Sequence, residues 1–183
     1  MKKLTILIDQ DGVLANYQES LLCAWRSEHP EKFWIPLSEV TLHDVEKEYP
    51  REYRNMLESI TLREGFFRGL SPILGAKEAL ETLLAMGHDI RICSSPKRNY
   101  RFCVEEKFAW VDEHLGGAWT ERIILTRDKT LVHGDILIDD KPEVTGICTP
   151  TWKHILYDQP YNRHLTKQPR LTWANWKETL PWE

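Results

Sequence analysis

The sequence predicts an α/β fold: a Rossmann-like parallel sheet with helices on both faces and a small helical cap inserted after the first strand. Three observations carry this expectation. Short apolar runs without polar alternation recur along the chain, helical patterns lie between them, and one long stretch near the N-terminus interrupts the rhythm. Uninterrupted apolar runs suit strands covered on both faces, as in a parallel sheet. Strand and helix in alternation give the layered arrangement.

The first such run is Leu4–Ile8, rich in β-branched residues and bounded by Asp9 and Gly12. Ile90–Cys93, Ile123–Leu125, Ile136–Ile138 and His154–Tyr157 repeat the pattern. Between them, Ala76, Ala79, Leu80, Leu83 and Leu84 fall at helical spacing, with Gly87 placed to stop the helix. Val104, Phe108, Val111 and Leu115 form a second helical face, ended by Gly116 and Gly117. Residues from about 16 to 74 read as helices without strands: a Leu21–Trp25 segment ended by Pro30, then Ser38–Tyr49, then a third segment after Pro50. This places a cap at 16–74 and a catalytic core at 1–15 and 75–183. Trp173–Leu180 is a short helix candidate packing back on the core.

The length suffices for one full domain and a modest insertion. With 24 Lys and Arg against 28 Asp and Glu, the net charge is −4, which gives no footprint for a nucleic-acid polymer. A small anion can still bind where charge is local. The start, MKKLTILIDQDG, has an apolar run too short for a secretory segment or a membrane span. Cys23, Cys93, Cys103 and Cys148 have no zinc spacing and read as buried free thiols. A cytoplasmic protein with reduced thiols and no membrane partner is expected. No feature names an oligomeric partner, although a homodimer is open.

Four features fall at or just past predicted strand ends, the edge where open α/β sheets bind ligands. They are Asp9-Gln10-Asp11-Gly12-Val13, Ser94-Ser95-Pro96, Lys129 and Asp139-Asp140. Singly, each has an ordinary explanation as a turn, a helix cap or a solvated lysine. Together they suit phosphoryl transfer. Asp9 can attack phosphorus directly, and Asp11, where the chain turns, can serve as general acid and then general base. Gly12 permits the tight bend. Asp139 and Asp140 would complete a hard oxygen site with Asp9, and a carboxylate cluster without His or Cys favours Mg²⁺ over zinc. Lys129 adds positive charge, and Ser94 and Ser95 offer hydroxyls to phosphate.

These motifs resemble the four signatures of the haloacid dehalogenase superfamily. The segments ILIDQDGVLAN, FFRGLSPILGAKEAL, ICSSP, EKFAWVDEHLG, IILTRDKT, LIDDKP and TPTWKHILY are similar to the 5'(3')-deoxyribonucleotidase family along nearly the whole chain, and the cap between about 30 and 62 matches least. The resemblance implies a nucleotidase acting on a small phosphomonoester, with Asp9 as nucleophile, Asp11 as acid and base, and Ser94 and Lys129 on the phosphate. It also implies a metal held by Asp9, the backbone carbonyl of Asp11 and an acid of the Asp139-Asp140 pair, Asp140 being favoured by the family pattern. Tyr17 and the Phe66-Phe67 pair stand at substrate-facing positions, where Tyr17 and Phe67 could stack on a base. Two departures are Ser94 for the Thr of the animal enzymes and Lys141, a candidate substrate contact, for their Arg, which loses a planar bidentate donor. A sugar phosphatase of the same superfamily is the first rival. A receiver-like signalling domain is the second, and its acid pair would sit at the first strand rather than the fourth.

Overall fold

The computed structural model describes residues 2–180. The apolar runs form β1 (Thr5–Ile8), β2 (Asp89–Ser94), β3 (Ile123–Leu125), β4 (Ile136–Asp139) and β5 (Lys153–Tyr157), joined by a two-residue edge strand β6 (Arg170–Leu171). All pair in parallel in the order β3-β2-β1-β4-β5-β6. From β1 the chain adds strands first on one side and then, from β4, on the other. The C-terminal edge of β1 and β4 is therefore the topological switch point, where a crevice opens.

Alternate residues of the central strands bury on opposite faces. Ile6, Ile8, Ile136 and Ile138 join a cluster with Ala79, Leu80 and Leu83 of α3 (Ala76–Ala85) and Trp110 and Val111 of α4 (Cys103–Leu115). Leu7 and Leu137 face the other way, with Cys93 and Trp152. Both faces are thus apolar, which is why the strands read as continuous hydrophobic runs.

Among the described residues, the segment from 16 to 74 contains no strand of the sheet. It carries α1 (Tyr17–Glu28) and α2 (Arg51–Thr61), whose Leu21, Leu22, Trp25, Leu57 and Ile60 form a separate small core with Val40, Val45 and Tyr49. The chain leaves and re-enters the core along paired backbone: Asn16 N–H donates to Ser71 O at 2.9 Å and Ile73 N–H to Leu14 O at 2.8 Å.

Two expectations need correction. Ser38–Tyr49 is not a helix but two short 3₁₀ turns, Leu37–Glu39 and Val45–Glu48. The Glu48 carboxylate accepts from the Thr41 and Leu42 N–H groups at 2.6 and 2.5 Å, so those donors go to a side chain instead of a helical carbonyl. Of the four free cysteines, Cys93 and Cys103 are buried but Cys23 and Cys148 are exposed. The tail helix is real but shorter than expected: α5 spans Trp176–Thr179. No described helix is long and apolar enough to cross a membrane.

Ile6 is 0% exposed at the centre of the sheet, whereas Ile147 is 84% exposed. Ile6→Ala should cost about 2–5 kcal/mol in urea unfolding, and Ile147→Ala less than about 0.5 kcal/mol.

Candidate active site

The site is built outward from the end of β1. Asp9 follows the strand directly, its N–H still on the ladder to Ile138 O at 2.9 Å. The chain then turns sharply. Gln10 O accepts from Leu14 and Ala15 N–H at 2.8 and 2.9 Å, and Gly12 takes φ +76°. The turn is held from outside as well: Gln159 Nε2 donates to Gly12 O at 2.7 Å and Trp173 Nε1 to Val13 O at 2.8 Å. This turn aims Asp9 and Asp11 at the same crevice.

Lys129 enters from the loop after β3. Asp128 fixes that loop by accepting from Thr130 N–H and its hydroxyl at 2.9 and 2.5 Å and from Ile147 N–H at 2.9 Å. The buried Lys129 ammonium lies 2.9 Å from Asp9 Oδ1 and 2.6 Å from Asp139 Oδ2. The other Asp139 oxygen accepts from Lys141 N–H at 2.9 Å. Asp140, just past β4, accepts from the Tyr161 hydroxyl through Oδ2, and its backbone carbonyl accepts from Asn162 Nδ2 at 2.9 Å. Its Oδ1 is buried with no hydrogen-bond partner among the described residues.

That orphaned oxygen bears on metal binding. One carboxylate oxygen each from Asp9, Asp139 and Asp140 lie within 4.8 Å of one another. A buried acceptor without a donor is costly, and a hard cation would satisfy it. The residues present therefore fit a divalent cation with oxygen ligands. Asp11 does not join this cluster through its side chain: its Oδ2 accepts from Lys107 Nζ at 2.7 Å.

Charge balance follows from the burial. Burial acts to discharge Lys129, but Asp139 and Asp9 outweigh it and hold the ammonium protonated well above the usual lysine range. Burial raises the Asp9 carboxyl; Lys129 opposes this, and the net direction is upward. For Asp139, burial also raises, but Lys129 prevails and the pKa falls. Burial pushes Asp140 up to about 7, with His43 opposing and Asp139 and Asp9 adding. His43 comes from the cap, its Nε2 3.8 Å from Asp140 Oδ2. Burial works against its protonation, but Asp140 and Asp44 lift it to about 9. The upward shifts of Asp9 and Asp140 thus come from burial and from the acids crowding one another.

A cavity of about 210 Å³ opens over these groups. Asp9, Asp11, Ser94, Ser95, Lys129, Asp139, Tyr17 and Lys141 all line it, whereas Asp140 and Phe67 do not. Phe67 is buried behind Tyr17, ring centroids 5.9 Å apart, so it supports that ring and does not face the cavity. Lys107 was absent from the sequence expectations. It is fully buried on α4 and donates to Ser94 Oγ at 3.0 Å as well as to Asp11. Its signal was a cation in an apolar stripe, four residues after Cys103 and four before Val111, both buried. Gln18, His43, Asp44, Glu46 and Lys97 line the cavity too, and no motif marked them.

Residues 2–181 match the family described as "5' nucleotidase, deoxy (Pyrimidine), cytosolic type C protein". The chain belongs to this family. It is 49% identical over 178 residues to a Bordetella pertussis protein provisionally named a 5'(3')-deoxyribonucleotidase, covering 97% of this chain and 96% of that one. It is 40% identical to the human 5'(3')-deoxyribonucleotidase, cytosolic type, covering 98% and 94%. Among solved structures, a Burkholderia xenovorans protein provisionally described as a haloacid dehalogenase-like hydrolase superposes with a TM-score of 0.55 at 15% identity, over 97% of this chain and 96% of that one. At that identity it supports the core fold, and the fold alone.

At position 12 the turn after β1 tolerates only glycine. A Cβ on Gly12 would lie 2.1 Å from Asp140 Oδ2, on top of the positive φ, whereas Gly87, at φ +92°, has nothing within 4 Å. Gly87→Ala should cost about 1–2 kcal/mol and Gly12→Ala roughly 2–4 kcal/mol in urea unfolding, with turnover lost only in the latter.

Proposed function

We propose that this protein is a cytoplasmic, Mg²⁺-dependent phosphatase of nucleoside monophosphates, deoxyribonucleoside 5'- or 3'-monophosphates first among them, acting through an aspartyl-phosphate on Asp9. The observation that carries the reading is the Asp9 carboxylate at the sheet switch point, beside a buried ammonium and within reach of two further carboxylates. The family's nucleotidases supply the substrate class.

In this reading Asp9 attacks phosphorus, an Asp9 O–P bond forms, and the ester P–O bond breaks with its electron pair leaving on the alkoxide. Asp11 protonates that alkoxide and then takes a proton from the water that hydrolyses the acyl phosphate. In the free site Asp11 is paired with Lys107. An entering phosphate offers Lys107 a competing anion and releases Asp11 to carry the proton. Lys129, Lys107 and the hydroxyls of Ser94 and Ser95 neutralise the phosphate oxygens. Mg²⁺, held by Asp9, Asp140 and the Asp11 carbonyl, would shield nucleophile from phosphate and polarise the phosphoryl group. Asp140 is preferred to Asp139 as direct ligand because both Asp139 oxygens already accept hydrogen bonds, while Asp140 Oδ1 has none. Tyr17 and Lys141 line the substrate side.

A second reading, a sugar or other small phosphomonoester, is favoured by the polar wall of Gln18, Asp44, Glu46 and Lys97, which suits hydroxyl groups. Phosphate release across deoxy- and ribonucleoside monophosphates and sugar phosphates decides between them. Under either, excess EDTA should abolish turnover and Mg²⁺ restore it. Lys129→Ala should lower turnover by about 10²–10³, while Lys77→Ala, on an exposed residue, should leave it unchanged. Full activity in excess chelator would refute the metal requirement.

A further inference from the structure

Glu106 is a buried carboxylate with no part in the chemistry above and no ion pair among the described residues. It is 6% exposed on α4 and accepts three backbone hydrogen bonds from the segment where the cap returns to the core. Oε1 takes Gly65 N–H at 2.6 Å; Oε2 takes Phe67 N–H at 3.0 Å and Arg68 N–H at 3.3 Å. Residues 62–69 form turns without a helix or strand, so their donors lack a regular ladder and the carboxylate replaces one. Gly65, at φ +88°, bends the backbone to converge on it. Four residues on, Trp110 Nε1 donates to Leu70 O at 2.7 Å, gripping the same segment from the same helix.

The neighbouring residue on α4 is Lys107, which reaches Asp11 and Ser94. The segment that Glu106 holds carries Phe66 and Phe67, and the Tyr17 ring rests on both, with centroids 5.6 and 5.9 Å away. The Lys107 ammonium lies 5.2 Å from the Phe67 ring centroid. One turn of α4 therefore ties the catalytic floor to the cap-side wall of the cavity.

We propose that Glu106 is a positioning residue, which sets the cap's return segment and through it Tyr17 against the catalytic floor. This role rests on the phosphatase reading for its substrates, since it acts on the part of a substrate beyond the phosphate. Binding energy from that part is what aligns the phosphate for attack. Losing the latch should therefore burden a large substrate and spare a small activated one.

The test compares a nucleoside monophosphate with p-nitrophenyl phosphate. Glu106→Gln keeps the shape but turns one acceptor oxygen into a donor facing backbone N–H. KM for the nucleotide should rise on the order of tenfold, the scale of one charge-assisted hydrogen bond, while kcat/KM for p-nitrophenyl phosphate changes by less than about twofold. Glu106→Gln combined with Tyr17→Leu should be little worse on the nucleotide than Tyr17→Leu alone. Gly65→Ala strains the held segment without a clash, as nothing lies within 4 Å of its Cβ. It should reproduce the nucleotide defect, and it carries the test if Glu106→Gln fails to fold. Amide exchange at residues 65, 67 and 68 should quicken in both variants. Equal losses on both substrates, additive effects with Tyr17→Leu, or unchanged exchange would each overturn the proposal. If the wild-type protein cleaves neither substrate, the phosphatase reading fails separately; quickened exchange would then still show the latch, and unchanged exchange would still refute it.

Discussion

Three carboxylates forced to one sheet edge set the terms for the rest of the site. Asp9, Asp139 and Asp140 present oxygens within 4.8 Å of one another in a largely buried crevice. Two unit charges about 4 Å apart repel by about 4 kcal/mol at an effective dielectric of about 20. Nothing in an apolar sheet relieves that repulsion, so the surroundings must. Lys129 lies between two of the acids, Tyr161 and His43 turn toward the third, and one Asp140 oxygen is left for a cation.

Rigidity follows from the same need. Charges this close are tolerable only if each is held where its counter-charge works, and strand ends supply that. Asp9 continues the ladder from β1 to Ile138. Lys129 is fixed through Asp128, where a Cβ on Gly146 would lie 1.8 Å from Asp128 Oδ1 and break the arrangement. The cap behaves differently. Its small core also takes in Tyr161, and it is joined to the floor by His43 at Asp140, the Trp110 bond to Leu70 O and the Glu106 latch. In the proposed reading the chemistry sits at the strand ends, and the 16–74 segment supplies the wall that would face the rest of the substrate.

The core was legible because its physics is local. Continuous apolar runs located β1 to β5, and acids at their ends located Asp9, Asp11, Asp139 and Asp140. β6 was missed because two residues after Pro169 carry no pattern. The Ser38–Tyr49 segment has helix-forming residues, but the carboxylate of its own Glu48, six and seven residues on, took the Leu42 and Thr41 donors. Glu106 was invisible in the sequence, and Lys107 carried only the faint signal of a cation in an apolar stripe. Written out in sequence both resemble surface charges; packing of α4 buries Glu106 against the return segment and Lys107 against Asp11 and Ser94. Phe67 was placed on the substrate side by its position in the family pattern; the fold packs it against Tyr17, outside the residues that line the cavity.

The central claim is that the Asp9 carboxylate forms a covalent bond to phosphorus. Asp11→Asn keeps that nucleophile but removes the base for the second step, so p-nitrophenyl phosphate, whose leaving group barely needs a proton, should load the enzyme and stall. Rapid acid quench followed by peptide mass spectrometry reads the result directly. The account predicts a phosphoryl adduct on the peptide bearing Asp9 in Asp11→Asn, and no adduct in Asp9→Asn. An adduct that persists in Asp9→Asn would place the nucleophile elsewhere and contradict the account.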